Sequence, residues 1–211
     1  MTYDFSVDYP LRSWEVWTSV TFRKTGEEWG GFSNMCAGFP IIVNGTRWAN
    51  CEALYQAMRF PDFPDVQEMI RKEKSPMAAK MKSKPFRKEK SRADWEEVRI
   101  DAMWWCLVAK YLSNPIKFGN LLRESKSSDI VEHSHRDRFW GAVSVSEDYL
   151  YGQNVLGLLL TRLRRTVITE TDEVLRSSIP PKRSKILGMD YFAIAESKFD
   201  YKPDENPRLF D

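Results

Sequence analysis

Three polar side chains are spaced so that they share one face of a predicted helix: Glu52, Gln56 and Arg59, at i, i+4 and i+7. A carboxylate held on such a face, among the aromatic residues that flank it, is a candidate catalytic acid or base. The alternative is structural, because a glutamate in the first turn of a helix also complements the helix dipole. Spacing alone leaves both interpretations open.

Short-range signals place Glu52 in that first turn. Asn44-Gly45 supplies two residues that tolerate positive φ, so this dipeptide and its apolar, partly β-branched flanks predict a β-hairpin. Asn50 then predicts the N-cap of a helix over 51–60. The apolar stripe of that helix comprises Cys51, Leu54, Tyr55 and Met58.

The remaining elements are predicted from periodicity, prolines and capping residues. Alternation over 14–22 predicts one strand. The further predicted helices are 65–72, one that begins at Ser75-Pro76, a long one from Asp94 to about Ser113, one that begins at Asn114-Pro115, and 152–165. Together these elements predict an α+β fold, a predominantly helical single domain with a small antiparallel sheet near the N-terminus.

Composition excludes a disordered chain. With 211 residues, 42% of them apolar and 13% aromatic, the chain can bury a substantial core. We expect a catalytic domain over 1–165 and a C-terminal extension over 166–211, where the composition shifts to mixed charge. The extension carries an apolar segment at 186–195 and a proline-containing stretch at 202–207, and we expect it to dock loosely or to serve a partner.

Charge is informative only locally. The net charge of +2 indicates no particular partner, but ten Lys and Arg stand against two Glu between Arg71 and Arg92. Such a concentration can bind phosphates, and a solvated basic loop is the alternative.

Cysteine and histidine usage indicates a reducing compartment and no metal. Cys36, Cys51 and Cys106 show neither disulfide nor zinc spacing, and His133 and His135 form an i, i+2 pair without a nearby Cys. The chain begins without a signal-peptide pattern and contains no apolar run of membrane-spanning length. We therefore expect a cytoplasmic protein that has no membrane partner.

Several short segments occur in an order typical of one family. They are Gly31-Phe-Ser-Asn34, Trp48 to Ala57, Ser75-Pro-Met-Ala-Ala79, Asp94-Trp95 to Arg99, Ile130 to Gly141, and Gly152-Gln-Asn-Val-Leu-Gly157. In this order they resemble the NADAR or YbiA-like superfamily, from about Trp29 to Arg165. The resemblance implies the same α+β fold and an N-glycosidase that acts on ribosyl–amine bonds, including those of riboflavin-pathway intermediates and of ADP-ribose attached to guanine.

The resemblance also assigns catalytic roles. It implies that Glu52 and Asp137 are the catalytic carboxylates, because breaking a C1–N bond passes through an oxocarbenium-like state that carboxylates can serve. For Asp137 the alternative is a cap on the following turn. Lys80 and Lys84 are predicted beside the pocket, where a lysine forms a Schiff base with an opened ribose or binds a pyrophosphate.

The implied substrate-binding residues offer rings, amides and close backbone approach. Trp95 and Trp140 would stack on a flat base, with core packing as the alternative. The asparagines and glycines would contact ribose, base or backbone, with turn formation as the alternative. Arg92 would bind a phosphate. The full predicted set is Phe32, Ser33, Asn34, Gln56, Arg92, Trp95, Trp140, Gly141, Gly152 and Asn154. No cofactor and no metal is predicted.

Within this family we expect removal of ADP-ribose from guanine in single-stranded DNA or in a nucleotide, with ADP-ribose as the product and a DarT-type ADP-ribosyltransferase toxin as the partner. This expectation rests on the basic stretch and on the Cys36-Ala-Gly-Phe39 and Trp48-Ala-Asn-Cys51 variants. One alternative is hydrolysis of phosphoribosylamino-pyrimidine intermediates of the riboflavin pathway. Another is a non-catalytic reader of ADP-ribose or nucleic acid, against which the presence of both Glu52 and Asp137 counts.

Overall fold

The computed structural model describes residues 9–190 and 192–196, and eight α-helices are the main regular elements of this part of the chain. Their bounds are α1 Cys51–Met58, α2 Pro64–Arg71, α3 Pro76–Ser83, α4 Arg87–Lys90, α5 Trp95–Ser113, α6 Lys117–Glu124, α7 Val155–Thr169 and α8 Asp172–Arg176. Single 3₁₀ turns cover Gly30–Phe32 and Lys84–Phe86.

The strands form two sheets. They are β1 Arg12–Glu15, β2 Val20–Phe22, β3 Ile41–Val43, β4 Thr46–Trp48, β5 Ile130–Ser134, β6 Ala142–Ser144, β7 Tyr149–Gly152 and β8 Ile194–Ala195. The larger sheet has the order β1-β7-β6-β5-β2, in which β5 runs parallel to both β2 and β6, and the smaller antiparallel sheet has the order β4-β3-β8. The predicted α+β class, mostly helical and with a small antiparallel sheet, is confirmed, and the five-stranded mixed sheet is additional to it.

The hairpin and cap signals near the predicted catalytic glutamate behave as their chemistry requires. Asn44 and Gly45 adopt φ of 51° and 70°, which turns β3 directly into β4. The Asn50 side chain accepts a hydrogen bond of 2.9 Å from the backbone N–H of Ala53 and so caps α1. Glu52 is consequently fixed in the first turn of α1.

The prediction of one strand over 14–22 is wrong, because the chain turns between β1 and β2. Trp14 and Phe22 are buried, whereas Trp17 at the turn is 60% exposed. The two halves pair with different partners: β1 is antiparallel to β7 and β2 is parallel to β5. Alternation in the sequence therefore spanned two strands that lie at opposite edges of one sheet.

The core is built around α5. Its buried residues Trp105, Leu107, Val108 and Leu112 have no exposed surface, and they belong to one apolar cluster with residues of α1, α7 and β3. Burying a side chain of this size stabilises a fold by about 1.5–3 kcal/mol. The cluster supports the helix ends and strand ends that form the site described below.

The described part of the C-terminal extension is integrated into the domain, so the expectation of loose docking is wrong. Gln67 on α2 donates a hydrogen bond of 2.8 Å to the backbone carbonyl of Lys185 and accepts one of 2.6 Å from the backbone N–H of Leu187. Phe192 packs edge-on against Trp105 at 5.4 Å between ring centroids. In addition, β8 pairs with β3.

The domain boundary placed at residue 165 falls inside α7, which continues to Thr169. The predicted proline-containing stretch at 202–207 lies outside the described residues. None of the described helices is both long enough and apolar enough to cross a membrane.

Candidate active site

A cavity of about 330 Å³ opens where α1, α3, the start of α5 and the end of β5 meet. Its wall carries carboxylates, basic groups and aromatic rings. The lining residues are Ser33, Asn34, Met35, Glu52, Tyr55, Gln56, Arg59, Lys80, Arg87, Trp95, Arg99, Met103, Glu132, Ser134, Asp137, Trp140 and Leu156.

Glu52 is the least exposed of the acids on the cavity wall. It is only 5% exposed, and its Oε1 accepts a hydrogen bond of 2.9 Å from Gln56 and lies 3.9 Å from the Lys80 ammonium. Burial raises the pKa of Glu52, while Lys80 and then the Gln56 hydrogen bond oppose the rise. Its backbone N–H also donates to the carbonyl of Asn34 at 3.2 Å, which joins α1 to the loop on the cavity wall.

A hydrogen-bond relay fixes the orientation of the Gln56 amide. Gln56 Oε1 accepts from the Ser83 hydroxyl at 2.8 Å and from the Arg87 guanidinium at 3.0 Å. Because the amide oxygen is committed to these donors, the NH₂ group must face Glu52. Glu52 and Gln56, which were predicted to share a helix face, are thus in contact, and Gln56 orients the carboxylate.

Asp137 combines the capping role and the cavity position that sequence reasoning left as alternatives. Its Oδ1 accepts hydrogen bonds from the backbone N–H groups of Phe139 and Trp140, both at 2.9 Å. Its own N–H donates to Ser134 Oγ at 3.0 Å. The turn that carries Trp140 into the cavity is therefore organised around this carboxylate, which also lines the cavity.

Glu132 is a third carboxylate of the wall, on β5. Its backbone N–H donates to Asn154 Oδ1 at 3.0 Å, and its side chain is half-buried. Burial, followed by the negative charges of Asp137 and Glu52, raises its pKa to about 7, and Lys80 partly opposes this.

Aromatic rings and guanidinium groups form the opposite part of the wall. Tyr55 packs against Trp95 at 5.3 Å and edge-on against Trp140 at 5.8 Å between centroids. The Arg59 guanidinium lies over Trp95, at 4.5 Å from the ring centroid. Arg99 lies in the same way over the Phe139 ring, at 3.8 Å. This surface can receive a flat ring and an anionic group side by side.

Asn34 presents a buried acceptor that the described part of the chain leaves unpaired. Its Nδ2 donates to Met103 Sδ at 3.0 Å, while Oδ1 has no hydrogen-bond partner among the described residues. A buried polar atom of this kind costs about 1–3 kcal/mol unless something satisfies it. An N–H or O–H group of a ligand in the cavity would do so.

A buried lysine holds the turn that precedes Asn34. Lys110 has no exposed surface, and its ammonium donates to the carbonyls of Gly31, at 2.6 Å, and Ser33, at 3.2 Å. It also lies over the rings of Phe39 and Phe118. Burial lowers the pKa of Lys110 to about 8.

The structure brings together most of the residues predicted for the site. Those on the cavity wall are Glu52, Asp137, Lys80, Ser33, Asn34, Gln56, Trp95 and Trp140. Those that do not line it are Lys84, Phe32, Arg92, Gly141, Gly152 and Asn154. For this second group, a direct contact with substrate stays a prediction.

The structure gives members of the second group other contacts. Phe32 is fully buried and stacks on Trp29. Arg92, considered for a phosphate, instead pairs with Asp94 at 2.6 Å. It also donates to the carbonyl of Lys182.

The remaining members shape the strands behind the cavity. Asn154, at φ of 53°, bridges the backbone of β5. A Cβ on Gly141 or Gly152 would come within 2.6 Å or 2.4 Å of a neighbouring backbone oxygen, so close strand packing requires glycine at both positions.

Sequence reasoning missed Glu132 and the guanidinium groups of Arg59, Arg87 and Arg99 as wall residues. Glu132 lay inside the recognised segment from Ile130 onward, and strand alternation puts it on one face with Ser134. For Arg59 the signal was its spacing from Glu52 on one helix face. No comparable signal identified Arg87 and Arg99, because they reach the wall only through the packing of α4 and α5. Among the described residues, no three His, Cys, Asp or Glu side chains are grouped closely enough to hold a metal ion.

Comparison with known proteins identifies similar chains. A family model described as the NADAR domain matches residues 21–168. The N-glycosidase YbiA of Escherichia coli (strain K12) is 36% identical over 157 residues, which cover 72% of this chain and 91% of that protein. The chloroplastic riboflavin biosynthesis protein PYRR of Zea mays is 31% identical over 175 residues, 77% of this chain but 27% of that protein.

A solved structure agrees with this similarity. The NMR structure of Escherichia coli YbiA superposes with a TM-score of 0.61 at 33% identity, covering 71% of this chain and 84% of that one. A riboflavin biosynthesis protein of Vibrio vulnificus (strain YJ016) is 29% identical over 76% of this chain and 41% of its own length.

Proposed function

The chain belongs to the NADAR family, and on this premise we propose that it removes ADP-ribose from guanine bases. Its similarity to the N-glycosidase YbiA supports the more general activity, hydrolysis of an N-glycosidic bond. The bond broken is the one between ribose C1 and the exocyclic amine of the base. The substrate is modified guanine in single-stranded DNA or in a nucleotide, and free ADP-ribose is the product. Such an activity would make the protein the antitoxin of a DarT-type DNA ADP-ribosyltransferase.

The observation that carries the proposal is the position of Glu52. It is buried at the cavity wall, oriented by Gln56, and close to the Lys80 ammonium. An anionic carboxylate beside ribose C1 stabilises the oxocarbenium-like state and takes a proton from the attacking water. Lys80, on the same wall as Glu52, would attract the phosphate-bearing side of the substrate or attack C1 of a ring-opened ribose.

The aromatic wall supports recognition of a purine. Stacking of a base on a ring is worth about 1–3 kcal/mol. Trp140, half-buried on the wall, offers such a surface, and Tyr55 packs behind it. The unsatisfied Asn34 Oδ1 would accept from an N–H group of the base or from a ribose hydroxyl.

The distribution of cations favours a substrate with two phosphates. Lys80, Arg59, Arg87 and Arg99 line the cavity. Further basic residues of the stretch lie on α3, α4 and the turn between them: Lys82, Lys84, Lys88 and Lys90. A pyrophosphate needs several positive partners, and arginine binds phosphate oxygens in a bidentate manner.

A second candidate, hydrolysis of phosphoribosylamino-pyrimidine intermediates, is favoured by a different observation. A cavity of about 330 Å³ is at the small end for a ligand site, and it suits one ribosylated base better than a complete dinucleotide. The names of two relatives, both riboflavin biosynthesis proteins, point in the same direction.

The test incubates the protein separately with single-stranded DNA that carries ADP-ribose on guanine, with DNA that carries it on thymine, and with the riboflavin-pathway intermediate. We expect release of ADP-ribose from guanine alone, because the thymine linkage has no exocyclic amine. Cleavage of the intermediate alone would replace the first proposal by the second. Binding without cleavage of any substrate would indicate a reader.

The salt dependence of KM also distinguishes the two candidate substrates. Neutralising several phosphates releases counterions, so the KM for the modified DNA should rise steeply with salt. The intermediate carries one phosphate, and its KM should depend less on salt.

A further inference from the structure

The three carboxylates on the cavity wall differ in what already occupies their oxygens. Asp137 Oδ1 already accepts two hydrogen bonds, from the backbone N–H groups of Phe139 and Trp140. Glu52 accepts the Gln56 amide and faces Lys80. No hydrogen bond or ion pair from the rest of the described chain reaches the Glu132 carboxyl group, although its backbone is fixed by Asn154. Both oxygens of the Glu132 carboxyl group are therefore available to a ligand.

We propose that Glu132 is the general acid of the reaction, and that it gives its proton to the exocyclic nitrogen as the C1–N bond breaks. This inference rests on the proposed glycosidase function and adds a third catalytic residue to it. The resulting roles differ: Glu52 serves the water and C1, Glu132 serves the leaving amine, and Asp137 organises the turn that presents Trp140.

The surroundings of Glu132 favour the protonated form that a general acid needs. The charged groups that face it are Asp137 from the following loop, Glu52 from α1 and Lys80 from α3. Its strand neighbours are uncharged, since Phe22 pairs with it on β2 and Gly141 lies against its carbonyl. Burial first, and then two negative charges against one positive charge, raise its pKa to about 7. An acid with a pKa near the working pH is both available and effective.

The proposed step transfers two protons, breaks the C1–N bond and forms a C1–O bond. The proton of the Glu132 carboxyl group moves to the exocyclic nitrogen, and the electron pair of the C1–N bond stays with that nitrogen, which leaves as a neutral amine. A water oxygen bonds to C1, and the Glu52 carboxylate takes one proton from that water. Transfer of this proton back to Glu132 through solvent restores the enzyme, so that one water is consumed for each bond hydrolysed.

The test compares two leaving groups on the same ADP-ribose. Guanosine linked through its amine must be protonated as it leaves, whereas 4-nitrophenolate leaves without a proton. We expect Glu132→Gln to lower kcat on the guanosine substrate by about 10²-fold or more and to change kcat on the nitrophenyl substrate less than about threefold. Glu52→Gln should impair both. His133→Gln, a change at the next residue of β5, is the matched control because His133 does not line the cavity.

The wild-type protein provides a measurement that does not depend on how the variant folds. With the guanosine substrate, kcat/KM should fall as the pH rises above about 7, because Glu132 loses its proton; with the nitrophenyl substrate this alkaline fall should be absent. An alkaline fall on both substrates or on neither would overturn the inference. So would a Glu132→Gln variant that is equally impaired on both substrates, or on neither. If the wild-type protein cleaves neither substrate, the proposed function itself fails.

Discussion

The Lys80 ammonium lies 3.9 Å from Glu52 Oε1, close enough for strong attraction but beyond hydrogen-bond distance. Glu52 is 7% exposed at its side chain, whereas that of Lys80 is 46% exposed. The carboxylate is therefore enclosed by the wall, whereas the amine is accessible to a substrate. Because of this difference, we expect substitutions of Glu52 and of Lys80 to have different effects on activity.

Glu52→Gln should lower kcat by about 10²-fold or more while leaving ligand binding and folding intact, because the amide keeps the shape but cannot accept a proton. Turnover of the ADP-ribosylated guanosine substrate and the affinity for free ADP-ribose are the two measurements. Glu124→Gln, at the exposed end of α6, is the matched control. Near-normal turnover in Glu52→Gln would remove this residue from the mechanism.

Lys80→Ala should impair activity more than Lys84→Ala, since the structure brings only the first of these two onto the cavity wall. Treatment with borohydride during turnover should give an intact-protein mass increase for one ribosyl adduct if a Schiff base forms, and that increase should be lost in Lys80→Ala. Lys88→Ala is the control, as it belongs to the same basic stretch. Equal small losses in all three variants would indicate a diffuse basic surface without a specific amine.

The two tryptophans of the wall should respond differently to truncation. Trp95 is 3% exposed, so Trp95→Ala should lower the free energy of unfolding by about 3–5 kcal/mol. Trp140 is half-buried at the cavity, and Trp140→Ala keeps the backbone N–H that Asp137 accepts. We expect this variant mainly to raise KM, by an amount corresponding to about 1–3 kcal/mol of lost stacking. Thermal unfolding and steady-state kinetics separate the two effects; an unchanged KM would exclude Trp140 from base binding.

Lys110 should make stability depend on alkaline pH. Its pKa in the folded protein is about 8, below the ordinary value of 10.5, so above pH 8 the unfolded chain binds more protons than the folded one. The free energy of unfolding of the wild type should thus rise relative to that of Lys110→Met between pH 8 and 10, by about 2 kcal/mol. Chemical denaturation of both proteins across this range measures whether the difference in their free energies of unfolding rises with pH.

The comparison of the wild type with Lys110→Met is needed because Cys51 changes the free energy of unfolding with pH in the opposite direction. Its pKa is raised to about 12, so it lowers stability above its ordinary pKa of 9.0. Loss of the Lys110 charge raises the Cys51 pKa further, but in both proteins this pKa lies above the range from pH 8 to 10. The Cys51 contribution is therefore nearly equal in the two proteins and is removed by the subtraction. A difference between them that does not change with pH would show that Lys110 is held with an ordinary pKa.

Local chemistry made the surroundings of Glu52 predictable. The hairpin at Asn44-Gly45 and the cap at Asn50 each depend on side chains within a few residues of one another, and both occur as predicted. Gln56 was predicted on the face of Glu52, and it does contact it.

Distant pairing made the rest unpredictable. The parallel pair of β2 and β5 brings Val20 beside Ile130, and strands of three and five residues carry too little pattern to reveal such a partner. Arg87 reaches the site only because α4 folds back on α1. Glu132 was not singled out because its face of β5 becomes defined only when the mixed sheet is formed.

The pairing of β8 with β3 has a consequence for biosynthesis. As the chain leaves the ribosome, β3 and β4 can close into their hairpin at once, yet the other edge of β3 has no partner until Ile194–Ala195 has been made. Until then the hairpin that leads into the Glu52 helix presents an open strand edge, which invites pairing with other chains. Nascent chains that stop before residue 194 should therefore be the aggregation-prone species and the ones that chaperones retain.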